Sequence, residues 1–207
     1  MILIKSKRVI DLYSYGTING QNIVIALEEM QLDYLLHKVD LINGEQRDSA
    51  FLKLNPSGRI PIIIDHDNNL ILSQSSAILI YLAEKSGKLL STDVVLRAKT
   101  LEWMMFHATD LAPNLFNNFY LKALIKKPQP IAAKFIKDRY LNLYQHFNNQ
   151  LAQHEFLNEV EFSIADIAAY PAIYRLVDTF EDLQYHHIIR WFNQVSKRPA
   201  VVKGINF

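Results

Sequence analysis

Along the first 88 positions the apolar residues switch repeatedly between a strand period and a helix period. Val9 to Tyr13 is a short strand-like run, and Gly20 to Met30 places Ile23, Ala26, Leu27 and Met30 on one helical face. Tyr34 to Val39 returns to a strand pattern. Strand, helix, strand with short joints predicts a βαβ unit with parallel strands. A short helix over Ser49 to Leu54 follows, then a loop at Asn55-Pro56-Ser57-Gly58. Ile60 to Ile64 is an apolar, β-branched strand. Asp67-Asn68-Asn69 supplies residues that tolerate positive φ, so a hairpin turn is expected before the partner strand Leu70 to Leu72. Ser75 to Lys85 reads as a helix closed by Gly87. The predicted order is βαβ-α-ββα around a mixed four-stranded sheet.

Beyond Gly87 the strand period disappears. Leu89 to Asp93 reads as a linker, and the rest is helical. Leu101, Met104, Met105, Ala108, Leu111, Ala112 and Leu115 mark a long amphipathic helix that Pro113 should kink. A loop at Lys126-Lys127-Pro128-Gln129-Pro130 precedes further helices over Ile131 to Leu151, Ser163 to Asp178 and Ile188 to Ser196. Two domains are therefore expected, an α/β domain over residues 1–88 and an all-α helical domain over 89–207.

Composition narrows the chemistry. The 207 residues carry a net charge of +1, so electrostatics gives no sign of a nucleic-acid or anionic-membrane partner. There is no cysteine, which removes a disulfide framework and a cysteine-ligated metal site, and no metal is expected. Any thiol chemistry must use a borrowed thiol. The opening Met1 to Val9 is too short and polar for a signal peptide, and no window is long enough to span a membrane. A cytoplasmic protein is expected.

Four segments could carry function. Phe162-Ser163-Ile164-Ala165-Asp166 is a capping box with Phe162 and Ile167 as a hydrophobic staple, and by itself it only starts a helix. Arg59-Ile60-Pro61-Ile62 puts a proline at a strand start, where its missing donor is harmless. A cis bond there would leave the Ile60 backbone able to pair with an extended peptide. Leu72-Ser73-Gln74-Ser75-Ser76 opens a helix whose free amides and dipole suit a carboxylate, unless Ser75 is a plain N-cap. Tyr13-Ser14-Tyr15-Gly16-Thr17-Ile18-Asn19-Gly20 joins the first strand to the first helix, where a hydroxyl or amide could stabilise a thiolate, unless Asn19 merely caps the helix.

In combination these segments resemble the glutathione transferase superfamily along almost the whole chain, with a thioredoxin-like N-terminal domain. Thr17-Ile18-Asn19-Gly20, Lys38-Val39-Asp40-Leu41 with Gln46, and Ile78-Leu79-Ile80-Tyr81-Leu82-Ala83-Glu84-Lys85 are most similar to the bacterial nu class, a group of glutathione-dependent disulfide-bond reductases. Lys197-Arg198-Pro199-Ala200 and the capping box are similar too. The resemblance implies that Thr17 and Asn19 lie next to the glutathione sulfur as the catalytic pair. It implies that Gln46 and Arg59 contact the glycine end, and that Ile60, before a cis Pro61, pairs with the cysteinyl unit. Gln74 and Ser75 would hold the γ-glutamyl group, and Arg139 would reach glutathione from the helical domain, the alternative for Arg139 being a surface ion pair. It also implies a homodimer.

The chain departs from the family pattern in places. Gly16 and Ile18 stand where prolines usually flank the threonine, Gln74 replaces the usual glutamate, and the loop before the second hairpin strand looks shorter. Losing that charge weakens the bond to the γ-glutamyl ammonium, because charge-assisted bonds are roughly twice as strong as neutral ones. Ser14 and Tyr15 remain rival sulfur contacts behind Thr17 and Asn19. Tyr13 ranks lowest, because strand alternation should turn it into the domain. Phe106, His107, Asn114, Asn118 and Phe119 are weak candidates for the wall of a second-substrate pocket, with His107 expected to be a packing residue. Trp103 and Trp191 are expected in the core or an interface.

The implied function is disulfide reduction using two molecules of glutathione, which acts as a co-substrate. The alternatives are conjugation of an electrophile, peroxidase activity, or a non-catalytic assembly module that has lost its glutathione contacts.

Overall fold

The computed structural model describes residues 10–207. The expected start of the first strand at Val9, and the opening Met1 to Val9, lie outside the described residues. The chain separates into two compact units. One comprises residues up to Lys88 together with Pro199–Phe207, and the other is Leu89–Arg198.

The first unit holds strands β1 (Ile10–Ser14), β2 (Tyr34–Lys38), β3 (Ile62–Asp65) and β4 (Leu70–Ser73) in the order β2-β1-β3-β4. β1 and β2 are parallel, whereas β3 is antiparallel to both β1 and β4. The mixed sheet is the one the period pattern predicts. Helices α1 (Ile18–Met30), α2 (Ser49–Leu54) and α3 (Ser75–Ser86) complete the βαβ-α-ββα order. β1 alternates strictly: Ile10, Leu12 and Ser14 are buried, while Asp11 and Tyr13 are only partly covered. Tyr13 packs on a second, smaller cluster of Val39, Phe51 and Ile62, which draws α2 against the sheet. At the hairpin, Asp65 accepts from Lys85 Nζ at 2.8 Å and from the Tyr81 hydroxyl. Gly87 closes α3 in the left-handed region at φ 68°.

Helix α1 begins two residues earlier than its apolar spacing suggested. Its run Ile23-Val24-Ile25-Ala26-Leu27 is buried on every side. A helix with no polar face needs cover beyond one sheet. That cover comes from α3 and from a final helix, α10 (Pro199–Ile205). The end of the expected 89–207 domain therefore differs here, because 199–207 packs with the first unit.

In the helical unit, α4 (Val94–Met105) continues through a π-helical segment, Phe106–Leu111, into α5 (Ala112–Phe119) and a second π segment, Tyr120–Leu124. Pro113 lies inside this continuous helix, just after the π segment, where the Ala112 amide already bonds the His107 carbonyl in a widened turn. α6 spans Pro130–Gln153. The helix expected over Ser163 to Asp178 is two helices, α7 (Ile164–Tyr174) and α8 (Val177–Asp182), and α9 (His186–Val195) follows.

The capping box forms as expected. Ser163 Oγ accepts from the Ala165 amide at 3.3 Å, and the Ser163 amide donates to Asp166 at 3.0 Å. The fully buried Asp166 also accepts from Trp191 Nε1 at 2.8 Å and the Leu157 amide at 3.3 Å. Trp103 and Trp191 both lie in the core. No helix among the described residues is long and apolar enough to cross a membrane.

Candidate functional site

The strand register places four candidate segments at one end of the sheet. Ser14, the last residue of β1, pairs with Lys38, the last of β2. Tyr13 pairs with Ile62, the first residue of β3, and Ile62 pairs with Ser73, the last of β4. The loops that follow β1, β2 and β4, and the residues that precede β3, therefore leave the sheet at the same end. They carry Thr17 and Asn19, Gln46, Ile60, and Gln74 with Ser75. Strands about 4.8 Å apart spread these ends over roughly 14 Å across three gaps.

At the end of β1 the chain turns tightly, with the Thr17 amide donating to the Tyr15 carbonyl at 2.6 Å. Thr17, not Asn19, is the N-cap of α1, and its Oγ1 accepts from the Gly20 amide at 3.1 Å. The capping alternative for Asn19 is thereby corrected: Asn19 stands exposed in the first turn. Because the Thr17 hydroxyl accepts in this bond, its own proton can still be donated outward. Gly20 cannot carry a side chain, since a Cβ there would lie 2.1 Å from the Tyr15 carbonyl oxygen and 2.5 Å from Ser14 Oγ. Ser14 itself is fully buried beneath this turn. That burial sets Ser14 aside as a sulfur contact. Tyr15 is partly covered, with Lys38 Nζ lying 5.5 Å over its ring. This ammonium was not singled out from the sequence, because only the β1–β2 register brings it beside the loop.

Gln46 sits in a 3₁₀ turn, Glu45–Arg47, between β2 and α2. Its Oε1 is buried without a hydrogen-bond partner among the described residues. A buried acceptor left unpaired costs stability unless a bound donor satisfies it. Next to it, Asn55 organises the loop: its Oδ1 accepts from the Ser57 amide at 3.1 Å and its Nδ2 donates to the Arg59 carbonyl at 2.7 Å. Gly58 occupies φ 62° with Arg47 Nη1 2.8 Å from where a Cβ would be. Arg59 is exposed. The Ile60–Pro61 bond is cis. Sheet pairing begins at Ile62, so the Ile60 backbone precedes the ladder.

Gln74 precedes α3 at φ 76° and ψ 109°, a conformation costly for any residue but glycine, and its side chain caps nothing. Ser75 is already inside the helix. The alternative that Ser75 is the N-cap is thereby corrected. The first-turn amides of this twelve-residue helix point away from it at the same sheet end.

The remaining candidates belong to the helical unit. Arg139 is exposed on α6. His107 is buried with neither ring nitrogen bonded among the described residues, and burial lowers its pKa to about 4. Asn118 is buried and donates to the Ala133 carbonyl at 2.5 Å. Both residues are interior and are withdrawn as pocket-wall candidates. Asn114 donates to the Asp110 carbonyl at 2.6 Å, Phe106 packs edge-on against Trp103, and Phe119 is exposed. Among the described residues no group of three or more His, Asp or Glu could hold a metal ion.

Comparison with known proteins follows the same division of the chain. Residues 8–84 match the glutathione S-transferase N-terminal domain, and residues 120–199 match the glutathione S-transferase C-terminal domain. The chain is 37% identical over 203 residues to the disulfide-bond oxidoreductase YfcG of Escherichia coli, covering 95% of this chain and 94% of that protein. It is 34% identical to the E. coli disulfide-bond oxidoreductase YghU, covering 96% and 74%. A solved structure of a glutathione transferase homolog from Lodderomyces elongisporus, with two glutathiones per subunit, superimposes with a TM-score of 0.90. It is 32% identical and covers 97% of this chain and 99% of its own. A Pseudomonas putida glutathione transferase with one glutathione disulfide bound per subunit gives a TM-score of 0.89 at 31% identity, covering 99% and 94%. Sheet order, matched domains and near-complete coverage agree, and the chain is an enzyme of the glutathione S-transferase family.

Proposed function

We propose that this enzyme reduces disulfides with two molecules of glutathione, the thiolate being stabilised by Thr17 with Asn19 beside it. The observation that carries the reading is the row of strand ends. An extended tripeptide spans about 10 Å, and the row offers a partner for each part of glutathione in order. The γ-glutamyl group falls at Gln74 and Ser75 after β4. The cysteinyl backbone falls at Ile60 before β3, its sulfur toward the Thr17 loop after β1. The glycine end falls toward Gln46, with Arg59 exposed nearby. The α3 amides and dipole suit the γ-glutamyl carboxylate. The buried Gln46 Oε1, unpaired among the described residues, suits an amide donor. Arg139 is proposed as a contact from the helical unit.

The chemistry needs no thiol of the protein's own. One glutathione thiolate attacks a substrate sulfur in line, forms a mixed disulfide and expels the other half as a thiolate. A second glutathione thiolate attacks the mixed disulfide, giving glutathione disulfide and the second substrate thiol. Two protons from two glutathiones end on two product thiols. Thr17 donates its hydroxyl proton to the attacking sulfur, and the α1 dipole adds to that stabilisation. Lys38 contributes positive charge at the same sheet end. We further propose that the enzyme is cytoplasmic and, as the family resemblance implies, a homodimer.

Glutathione-dependent reduction of 2-hydroxyethyl disulfide, followed as NADPH consumption through glutathione reductase, tests the reading. The expected result is turnover well above the uncatalysed rate. Glutathione binding without disulfide turnover would instead favour conjugation or peroxidase chemistry.

A further inference from the structure

The register between α10 and α1 leads the end of the described chain to the thiolate loop. Lys203 Nζ meets Glu28 at 2.6 Å. Gly204 lies on Ile25 so closely that a Cβ would come within 2.4 Å of Ile25 Cγ1 and 2.9 Å of the Ile25 amide nitrogen. The Ile205 carbonyl accepts from Gln21 Nε2 at 2.9 Å. The partner numbers fall along α1 as those of α10 rise, so the two helices run antiparallel and residues after Ile205 arrive at the start of α1. There the Phe207 carbonyl oxygen lies 3.6 Å from the position of a Cβ on Gly16, the residue before Thr17. Asn206 Nδ2 donates back to the Val202 carbonyl at 2.8 Å, which holds this last turn in place. Phe207 is partly buried.

We propose that Ile205–Phe207 forms a wall of the second-substrate pocket, and that Phe207 favours disulfides with an aromatic or bulky apolar group on the sulfur under attack. The inference rests on the glutathione reading above. The element that α10 packs on is α1, whereas the parts of glutathione are assigned to the ends of β2, β3 and β4. Phe207 therefore stands by the loop assigned to the sulfur and not at the strand ends assigned to the glutathione backbone. The group found beside that sulfur is the one carried by the substrate disulfide. In the exchange, the glutathione–substrate S–S bond forms as the substrate S–S bond breaks. An apolar neighbour lowers the free energy of holding an apolar substituent through that step. A Cβ on Gly16 would make only an ordinary contact with the Phe207 carbonyl, so the approach does not depend on the glycine.

The test compares two symmetrical disulfides, dibenzyl disulfide and 2-hydroxyethyl disulfide, so that the sulfur under attack carries the group in question, in the wild type, Phe207→Ala and Phe207→Leu. For Phe207→Ala we expect the kcat/KM ratio of benzyl to hydroxyethyl substrate to fall by about fivefold or more, the scale of a lost apolar contact. Phe207→Leu should recover part of that ratio, and calorimetric affinity for glutathione should stay unchanged in both variants. An unchanged ratio, or a parallel loss of glutathione affinity, would overturn the wall while leaving the disulfide reading in place. A wild type that neither binds glutathione nor reduces either substrate would overturn the disulfide reading and the wall with it.

Discussion

Gln74 concentrates the relation between strain and binding in one residue. It holds φ 76° without glycine's freedom and without capping α3, and such conformations cost of order 1–3 kcal/mol and gather at ligand clamps. Gln74→Gly should therefore raise the midpoint of urea unfolding by the equivalent of about 1 kcal/mol while weakening glutathione binding. Gln74→Ala should weaken binding without that gain, and equal stability of the two variants would remove the strain argument. Some of the site was legible at this scale and some was not. Thr17, Gln46, Ile60 and Ser75 could be proposed because motif position reports the loops. The division of labour between Thr17 and Asn19 was not legible: either residue type can cap a helix, and the choice depended on where the Tyr15–Thr17 turn placed each. The burial of Ser14 follows the strand alternation it shares with Ile10 and Leu12, the face on which Tyr13 had been expected, and Gly20 closes over it.

Among the elements, the hairpin and α3 are joined by Asp65. Burial tends to push its carboxyl up, but the hydrogen bonds from Lys85 and Tyr81 outweigh that and hold it below the ordinary 3.8. A depressed folded-state value means that the stabilisation is complete above the unfolded-state value and is lost as pH falls through the folded-state one. The thermal midpoint should drop as pH falls below about 4, and Asp65→Asn should start lower at neutral pH and drop less steeply. An identical acid profile for the variant would contradict this role. In the helical unit, Asp166 accepts from Trp191, Leu157 and Ser163 in the core. Asp166→Leu leaves several buried donors unpaired and should cost more than about 3 kcal/mol. Ser163→Ala, which loses chiefly a cap, should cost about 1; comparable losses in urea unfolding would refute the distinction. The capping box was readable because its two residues lie three apart. The split of α7 from α8 and the π segments were not, since local apolar spacing does not distinguish a continuous helix from one interrupted by packing. The burial of His107 and Asn118 shows the same limit, because helical spacing alone does not say which polar residue faces inward.

For the molecule as a whole, the two-part division was visible as a loss of strand period after Gly87, yet the return of Pro199–Phe207 to the first unit was not. The signal for it lay elsewhere in the chain. Ile23 to Leu27 offers no polar face, so α1 required a partner beyond the sheet, although nothing local in Pro199–Ile205 names α1 as its site. The return brings Phe207 beside Gly16, in the loop proposed to hold the thiolate. With no cysteine in the chain, the reactive sulfur in this account is that of glutathione alone, and the enzyme's part is to hold it and favour its ionised form. The ultraviolet thiolate absorbance of the glutathione complex, titrated against pH in the wild type and in Thr17→Val, tests that claim most directly. Bound glutathione should ionise well below the ordinary thiol value of about 8.5, and Thr17→Val should move the titration back toward it. Bound glutathione that titrates as it does free in solution, or a Thr17→Val complex indistinguishable from the wild type, would contradict the account.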